Sequence, residues 1–354
     1  MRPLLLEIPA KPAFVILLVA GALLALGGLV VPFIKRKKEI KSLGPTLLVA
    51  ALVAARVGTG RWDFWAEGGF GKVWDPVPIF SYGVMLGISL VVGWYLAMWL
   101  SDKDGLSRQG VAQIYVWTAV CAVIGARVLY VLTNLDHFKN PIDWIKVNEG
   151  GLVAYGGFLG GFFASWYWCR KNGWSLLRWA DVGVIPVALG LSITRIGCLL
   201  YGCDFGGISK HGWAIQFPGP TALNKMRGSP AWQRHVHDLK LLPDTATQSL
   251  PVHPTQIYEV LLGVFIVAVL LVVRKKRRFS GEAFVAFTMT YGIARFFIEF
   301  LRDDAERGEI LGLSTSQAIG LVSSTAALAL WIALWNRWKQ NREGFTYRPL
   351  AQKA

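Results

Sequence analysis

Apolar and polar positions along the chain gather into long apolar runs separated by short joints rich in glycine, proline and basic residues. Runs lie near 13–34, 43–58, 79–100, 112–133, 151–169, 181–201, 256–273, 281–301 and 313–336. Most approach or exceed the roughly 18 to 20 residues that a helix needs to cross about 30 Å of hydrocarbon. A helix satisfies its own backbone in a medium without water, so the pattern predicts an all-α polytopic membrane protein. The run at 43–58 has a short apolar core, and a re-entrant or surface helix is its alternative. The first run is too long for a cleaved leader and ends in KRKK instead of a small-residue cleavage site, so it reads as a retained anchor.

Basic joints set the expected orientation, because Lys and Arg close to span ends stay cytoplasmic. KRKK at 35–38, CRKNGW at 169–174, RKKRR at 274–278 and the tail from Arg337 all fall on one side if nine spans are threaded. The start of the chain and residues 59–78, 134–150, 202–255 and 302–312 then face outward. Only 202–255 is long enough for a small head on that face. Composition agrees with this reading: of 354 residues, 54% are hydrophobic and 17% charged, against about 25% charged in soluble domains, and the mean hydropathy is +0.43. The net charge of +15 sits in short, scattered basic runs attached to spans. That distribution fits topology and attraction to anionic membrane lipids, and it argues against a nucleic-acid partner. Four cysteines, Cys121, Cys169, Cys198 and Cys203, form no CxxC pair and have no histidine at metal spacing, so no metal or other cofactor is expected. Cys198 and Cys203 lie near the outward end of a span, where a disulfide is chemically permitted.

Charges inside the runs carry the chemistry. In YGIARFFIEFLRDD, residues 291–304, Tyr291, Arg295, Glu299 and Arg302 follow each other at spacings of four, four and three, which makes one stripe on a helix. Charges at membrane depth face a protein interior or a wet cavity, so the stripe points into the bundle. The plain alternative is an Arg295–Glu299 pair that neutralises itself near the interface, and Arg302, Asp303 and Asp304 at the very end read that way. Arg195, in LSITRIGCLLYGCDFGG at 191–207, has no carboxylate within one turn. Two arginines from different helices in the outer half point to a cleft for a phosphate, which guanidinium forks match in a bidentate way. In a bilayer that phosphate is a phospholipid headgroup.

Two other stretches are unusual. NEGGLVAYGGFLGGFF, 148–163, holds six glycines around Tyr155, allowing a helix backbone or a ligand to approach closely. Tight helix packing with an interfacial tyrosine accounts for it as well as catalysis does. VHPTQIYE, 252–259, opens a span with Pro254 and Thr255 at a helix start and a polar mouth of His253, Gln256, Tyr258 and Glu259.

HPTQIYE, GGLVAYGGFLGG, TRIGC with the glycine turn after it, and YGIARFFIEFLRDD stand in the order found in prolipoprotein diacylglyceryl transferases. SYGVMLG at 81–87 and GARVLYV at 125–131 also resemble that family, and the likeness covers roughly residues 75–340. It implies a seven-helix core with an outward-facing head. The expected division is 1–74 extra membrane segments, 75–201 first half of the core, 202–255 head, 256–340 second half and 341–354 cytoplasmic tail.

The resemblance further implies transfer of the diacylglyceryl group from phosphatidylglycerol to the lipobox cysteine of a prolipoprotein signal peptide, releasing glycerol phosphate at the outer leaflet of a bacterial inner membrane. Arg195 and Arg295 match the family's two key arginines and would stabilise the departing phosphate, with Tyr155 and His253 as further catalytic candidates. Substrate-binding candidates are Tyr82, Arg127, Gly156, Gly157, Gln256, Glu259, Tyr291 and Glu299. Tyr155 stands where the family has histidine, and a phenol with a pKa near 10 is a poor base at neutral pH. Activation of the acceptor thiol then falls to His253, to a carboxylate such as Glu259 or to the field of the arginines. Around Arg195, the family's glycine, asparagine, phenylalanine, asparagine and glutamate are replaced by Thr194, Cys198, Leu199, Tyr201 and Cys203, and Asp204 offers a carboxylate one position later. These departures keep two other classes open: a non-catalytic phospholipid-binding paralogue and an anionic-solute transporter.

Overall fold

The computed structural model describes residues 4–8, 77–138, 140, 144, 151–221, 228–303, 309–310 and 312–350. Among them are seven long helices: α1 (Ser81–Asp104), α2 (Arg108–Thr133), α3 (Ala154–Asn172), α4 (Leu176–Tyr201), α5 (Thr255–Lys276), α6 (Glu282–Ile298) and α7 (Thr315–Gln340). Strands among the described residues are confined to two two-stranded sheets and isolated bridges. The runs expected at 13–34 and 43–58 lie outside the described residues. All of these helices except α3 are long and apolar enough to cross a membrane. Large apolar side chains along them, including Val91, Leu132, Leu261, Phe265 and Val322, are more than half exposed. That surface suits hydrocarbon, and the chain is a multi-pass membrane protein.

The helices overrun the apolar stretches chiefly at their basic ends. α1 continues to Asp104 past Lys103, α3 to Asn172 past Arg170 and Lys171, α5 to Lys276, and α7 to Gln340 past Arg337 and Lys339. Cations in a last turn interact favourably with the carbonyl end of the helix, so polarity alone does not stop it. Local stop and start signals are visible as well: Gly173 at φ 68° closes α3, and Ser314 with Gln317 forms a reciprocal capping box on α7.

The chain divides into two compact units. Of the described residues, one holds those within Met1–Leu6, Ile79–Leu100 and Leu177–Pro349, the other those within Glu7–Pro78, Ser101–Leu176 and Leu350–Ala354. Within the first, small residues let helices approach. A Cβ on Gly263 of α5 would lie 2.0 Å from Ser192 Oγ of α4, and one on Gly292 of α6 would lie 2.8 Å from the Gly320 carbonyl of α7. Asp181 of α4 accepts N–H bonds from Gly281 at 2.8 Å and Phe284 at 3.0 Å, so a neighbouring helix caps the start of α6. The described part of the 202–255 head is knit by bridges from Val252 to Ile208 and Ile215. Phe205, Phe217, Ala231 and Val252 form its buried core.

Within the second unit, α2 and α3 pack through glycines. A Cβ on Gly156 would meet the Gly125 carbonyl at 2.3 Å, and one on Gly160 the Cys121 carbonyl at 2.2 Å. Thr118 and Ser165 share a 2.8 Å hydrogen bond across the same seam.

Candidate active site

Glu259 stands one turn into α5 and is the centre of the site. One of its oxygens pairs with Arg195 Nε of α4. The other lies 3.2 Å from Arg295 NH1 of α6 and 3.5 Å from Arg302 NH1, just beyond the 3-10 turn Glu299–Leu301. The close approach at Gly263 and Ser192 brings Arg195 within reach of Glu259, since Ser192 Oγ also donates to the Val260 carbonyl at 3.3 Å. Arg295 is further tied to Glu299 at 2.9 Å, one turn along its own stripe.

Asp204 completes the cluster from the loop after α4. It accepts from Arg195 NH1 at 2.6 Å and pairs with Arg302 NH2. Its backbone sits at φ +56°, a left-handed conformation that Asp tolerates better than most residues. Two neighbours at the start of α5 hold this loop: Thr255 Oγ1 donates to the Asp204 carbonyl at 2.6 Å, and Gln256 Nε2 to the Cys203 carbonyl at 2.6 Å. Burial alone would raise the Asp204 carboxyl, but Arg195 and Arg302 outweigh it and hold the group well below the usual carboxylate range.

The cluster thus carries three guanidinium groups, on Arg195, Arg295 and Arg302, and three carboxylates, on Asp204, Glu259 and Glu299. Formal charge balances, so no member of this buried cluster is left without a counter-charge. Beneath it, a cavity of about 10 Å³ is lined by Arg195, Glu259, Tyr291 and Arg295 together with apolar side chains of α4, α5 and α6. That is room for about one water. The arginines converge as the sequence predicts, yet the space between them is filled by the protein's own carboxylates.

Arg195 is not unpaired, as its surroundings in sequence imply; its partners come from nine residues downstream and from another helix. Arg302 is no solvated helix end either. Its side chain is 5% exposed and belongs to the cluster. The spacing of four, four and three places it on the same stripe as Tyr291, Arg295 and Glu299.

Other candidates fall in several places. Tyr82, in the first turn of α1, lies against α4 at Gly197, where a Cβ would come within 3.0 Å of the Tyr82 Cα. Tyr291 stacks on Phe287 at 5.7 Å and lines the cavity. His253 is half-buried in the head segment, its Nδ1 3.4 Å from Tyr258 Oη, and its backbone is bonded to Gly206 and Gly207. Tyr155, Gly156, Gly157 and Arg127 belong to the second unit. Tyr155 is half-buried in the first turn of α3, and Gly156 is buried against α2. Arg127 donates to the carbonyls of Trp144 at 2.8 Å and Gly151 at 3.1 Å.

Comparison with known proteins bears on this arrangement. The family model described as prolipoprotein diacylglyceryl transferase matches residues 69–333. Among curated relatives, the phosphatidylglycerol--prolipoprotein diacylglyceryl transferase of Thermus thermophilus is 30% identical over 277 residues, 76% of this chain and 96% of that protein. The protein of the same name from Neisseria meningitidis is 32% identical over 262 residues, covering 69% and 89%, and that from Clostridium tetani is 28% identical over 243 residues, covering 69% and 88%. The matched region holds α1 to α6, most of α7 and every residue of the arginine cluster, and the chain belongs to the prolipoprotein diacylglyceryl transferase family.

Proposed function

We propose that this chain is a phosphatidylglycerol--prolipoprotein diacylglyceryl transferase. The observation that carries the reading is the convergence of Arg195, Arg295 and Arg302, from separate elements, on shared carboxylates within a family member built of membrane-crossing helices.

In the reaction, the thiolate of a prolipoprotein lipobox cysteine attacks the glyceryl carbon that bears the phosphate ester. A carbon–sulfur bond forms, the carbon–oxygen bond to phosphate breaks, and glycerol phosphate leaves. Negative charge grows on the departing phosphate, and oriented guanidinium groups in a site of low dielectric stabilise it. Arg195 and Arg295 take that role, with Glu259 between them fixing the direction of both forks. Both oxygens of Glu259 are engaged by guanidinium groups, so His253 is the better acceptor for the thiol proton. A free cysteine thiol has a pKa near 8.5, and a base or a nearby cation raises its thiolate fraction. Tyr155 binds ester or phosphate oxygens by its hydroxyl in this scheme. Tyr82, Gln256, Tyr291 and Glu299 contribute to the lipid site of the first unit, and Arg127, Gly156 and Gly157 stand as substrate-binding candidates by their motif positions in the second.

The setting follows from the same reading: a bacterial inner membrane, the cluster toward the outer leaflet, the 202–255 head outside and the C-terminus in the cytoplasm. Membrane lipids surround the helices, and the lipobox signal peptide enters from the bilayer.

The charge balance of the cluster favours a second reading, a phospholipid-binding paralogue without turnover. Purified protein incubated with labelled phosphatidylglycerol and a lipobox peptide separates the two. Peptide lipidation with matching glycerol phosphate release supports the transferase. Lipid binding with no product supports the paralogue and refutes the enzyme.

A further inference from the structure

The two cysteines beside the cluster are placed by the way α4 ends. Gly202 adopts φ +87° just after Tyr201, and the Cys198 carbonyl accepts N–H bonds from Gly202 at 2.8 Å and Cys203 at 3.2 Å. A left-handed glycine with a bond from the second residue outside the helix back to the last full turn is a Schellman-type stop, whose geometry brings those two side chains into contact. Here both are thiols. Cys198 Sγ, Cys203 Sγ and an Asp204 carboxylate oxygen lie within 4.8 Å of one another. Cys198 is buried and Cys203 is half-buried.

The pair also touches the ion cluster. Cys203 Sγ lies 3.8 Å from Asp204 Oδ2, and Arg195 NH1 lies 3.9 Å from Cys198 Sγ. A metal ion is a poor occupant, because the carboxylate it would share already faces the guanidinium groups of Arg195 and Arg302.

The geometry points to Cys198 and Cys203 as a redox-modification site that reacts with small-molecule or protein disulfides and closes to an intramolecular disulfide. The half-buried Cys203 thiolate attacks the oxidant RSSR, forming a mixed disulfide and releasing one RSH after proton uptake. Cys198 then displaces the second RSH and forms the Cys198–Cys203 bond. The two protein thiols are oxidised by two electrons, the oxidant is reduced to two thiols, and the two thiol protons end on the products.

The bond would draw the loop onto α4 and fix the adjacent Asp204 against Arg195. A phosphate can reach Arg195 NH1 only if Asp204 yields it, so the disulfide form should transfer slowly. This consequence rests on the transferase reading; the bond itself does not.

Full-length protein in detergent is equilibrated with oxidised or reduced glutathione, denatured, alkylated and cut with trypsin. One tryptic segment, Ile196 to Lys210, holds both cysteines. After oxidation it should be two hydrogens lighter and refuse the label, and a dithiol reductant should restore labelling. Cys203→Ser and Cys198→Ser should each remove the change. In parallel, oxidation should slow lipidation of the peptide by on the order of tenfold or more, reversibly, since misplacing a substrate-positioning group by about 1 Å costs up to on the order of 100-fold. Full alkylation after oxidation, a glutathione adduct that persists on Cys203, or stoichiometric zinc lost in Cys198→Ser would each overturn the site. If the reduced protein lipidates nothing, the transferase reading fails while the peptide mass still decides the disulfide.

Discussion

At the scale of single residues, the site is a set of buried charges that are mutually dependent. Removing one member leaves the others uncompensated, which in a buried ion network costs about 3–5 kcal/mol. Glu259→Gln should therefore lower the thermal midpoint in detergent strongly. Arg295→Lys keeps the charge but loses the fork between Glu259 and Glu299, so it should fold and still turn over poorly. Arg295→Ala should lose about 100- to 1,000-fold or more in turnover, as removal of a developing-charge stabiliser does. Tyr155→Phe should weaken turnover less, because a phenol that only orients substrate is not replacing a phosphate charge. His235 gives a separate pH signature. Its ring accepts from the Leu250 N–H at 3.1 Å, and burial holds it below its ordinary value. The unfolded chain takes up that proton near pH 6.5 while the folded ring resists. Its contribution is thus full above about pH 6.5 and is lost as pH falls below it. Unfolding midpoints between pH 7.5 and 5.5 measure this, and His235→Gln should flatten the slope. Asp204, also depressed, gives up stability only further toward acid.

At the scale of elements, glycines set the distances on which the charges depend. Gly263→Ala drives a methyl into Ser192 Oγ, so α4 and α5 must separate and Arg195 must move from Glu259. Overpacking of this kind costs about 1–3 kcal/mol. Turnover and stability should fall together, and Ser192→Ala should restore part of both. The seven long helices were legible as apolar runs, six of them by length and apolarity sufficient to span a membrane, because hydrocarbon forces a helix to satisfy its own backbone. Their basic ends were not, since Lys and Arg end an apolar run without ending a helix. Arg195 and Arg295 stood out as charges inside apolar runs. Glu299 was legible as a partner of Arg295 from their spacing of four; the partners of Arg195 were not, because Asp204 and Glu259 meet it only after α4 stops at Gly202 and packs on α5 at Gly263. Arg302 looked like a helix terminus until the turn at Glu299–Leu301 directed it inward.

At the scale of the whole molecule, the proposed topology places the head outside and the tail inside. In sealed spheroplasts of a variant lacking its native cysteines, a membrane-impermeant maleimide should label Lys240→Cys and spare Arg342→Cys; both positions are exposed in the fold. The reverse pattern would turn the molecule over and put the cluster at the wrong leaflet. The central claim is that Arg195 and Arg295 hold one lipid phosphate while its glyceryl carbon passes to a thiol. The most direct measurement follows glycerol phosphate release and peptide lipidation from labelled phosphatidylglycerol by the reduced wild-type protein, Arg195→Lys and Arg295→Lys. The wild type should give equimolar products, and each variant that still folds should lose at least about 100-fold. Wild-type rates in either folded variant would contradict that claim.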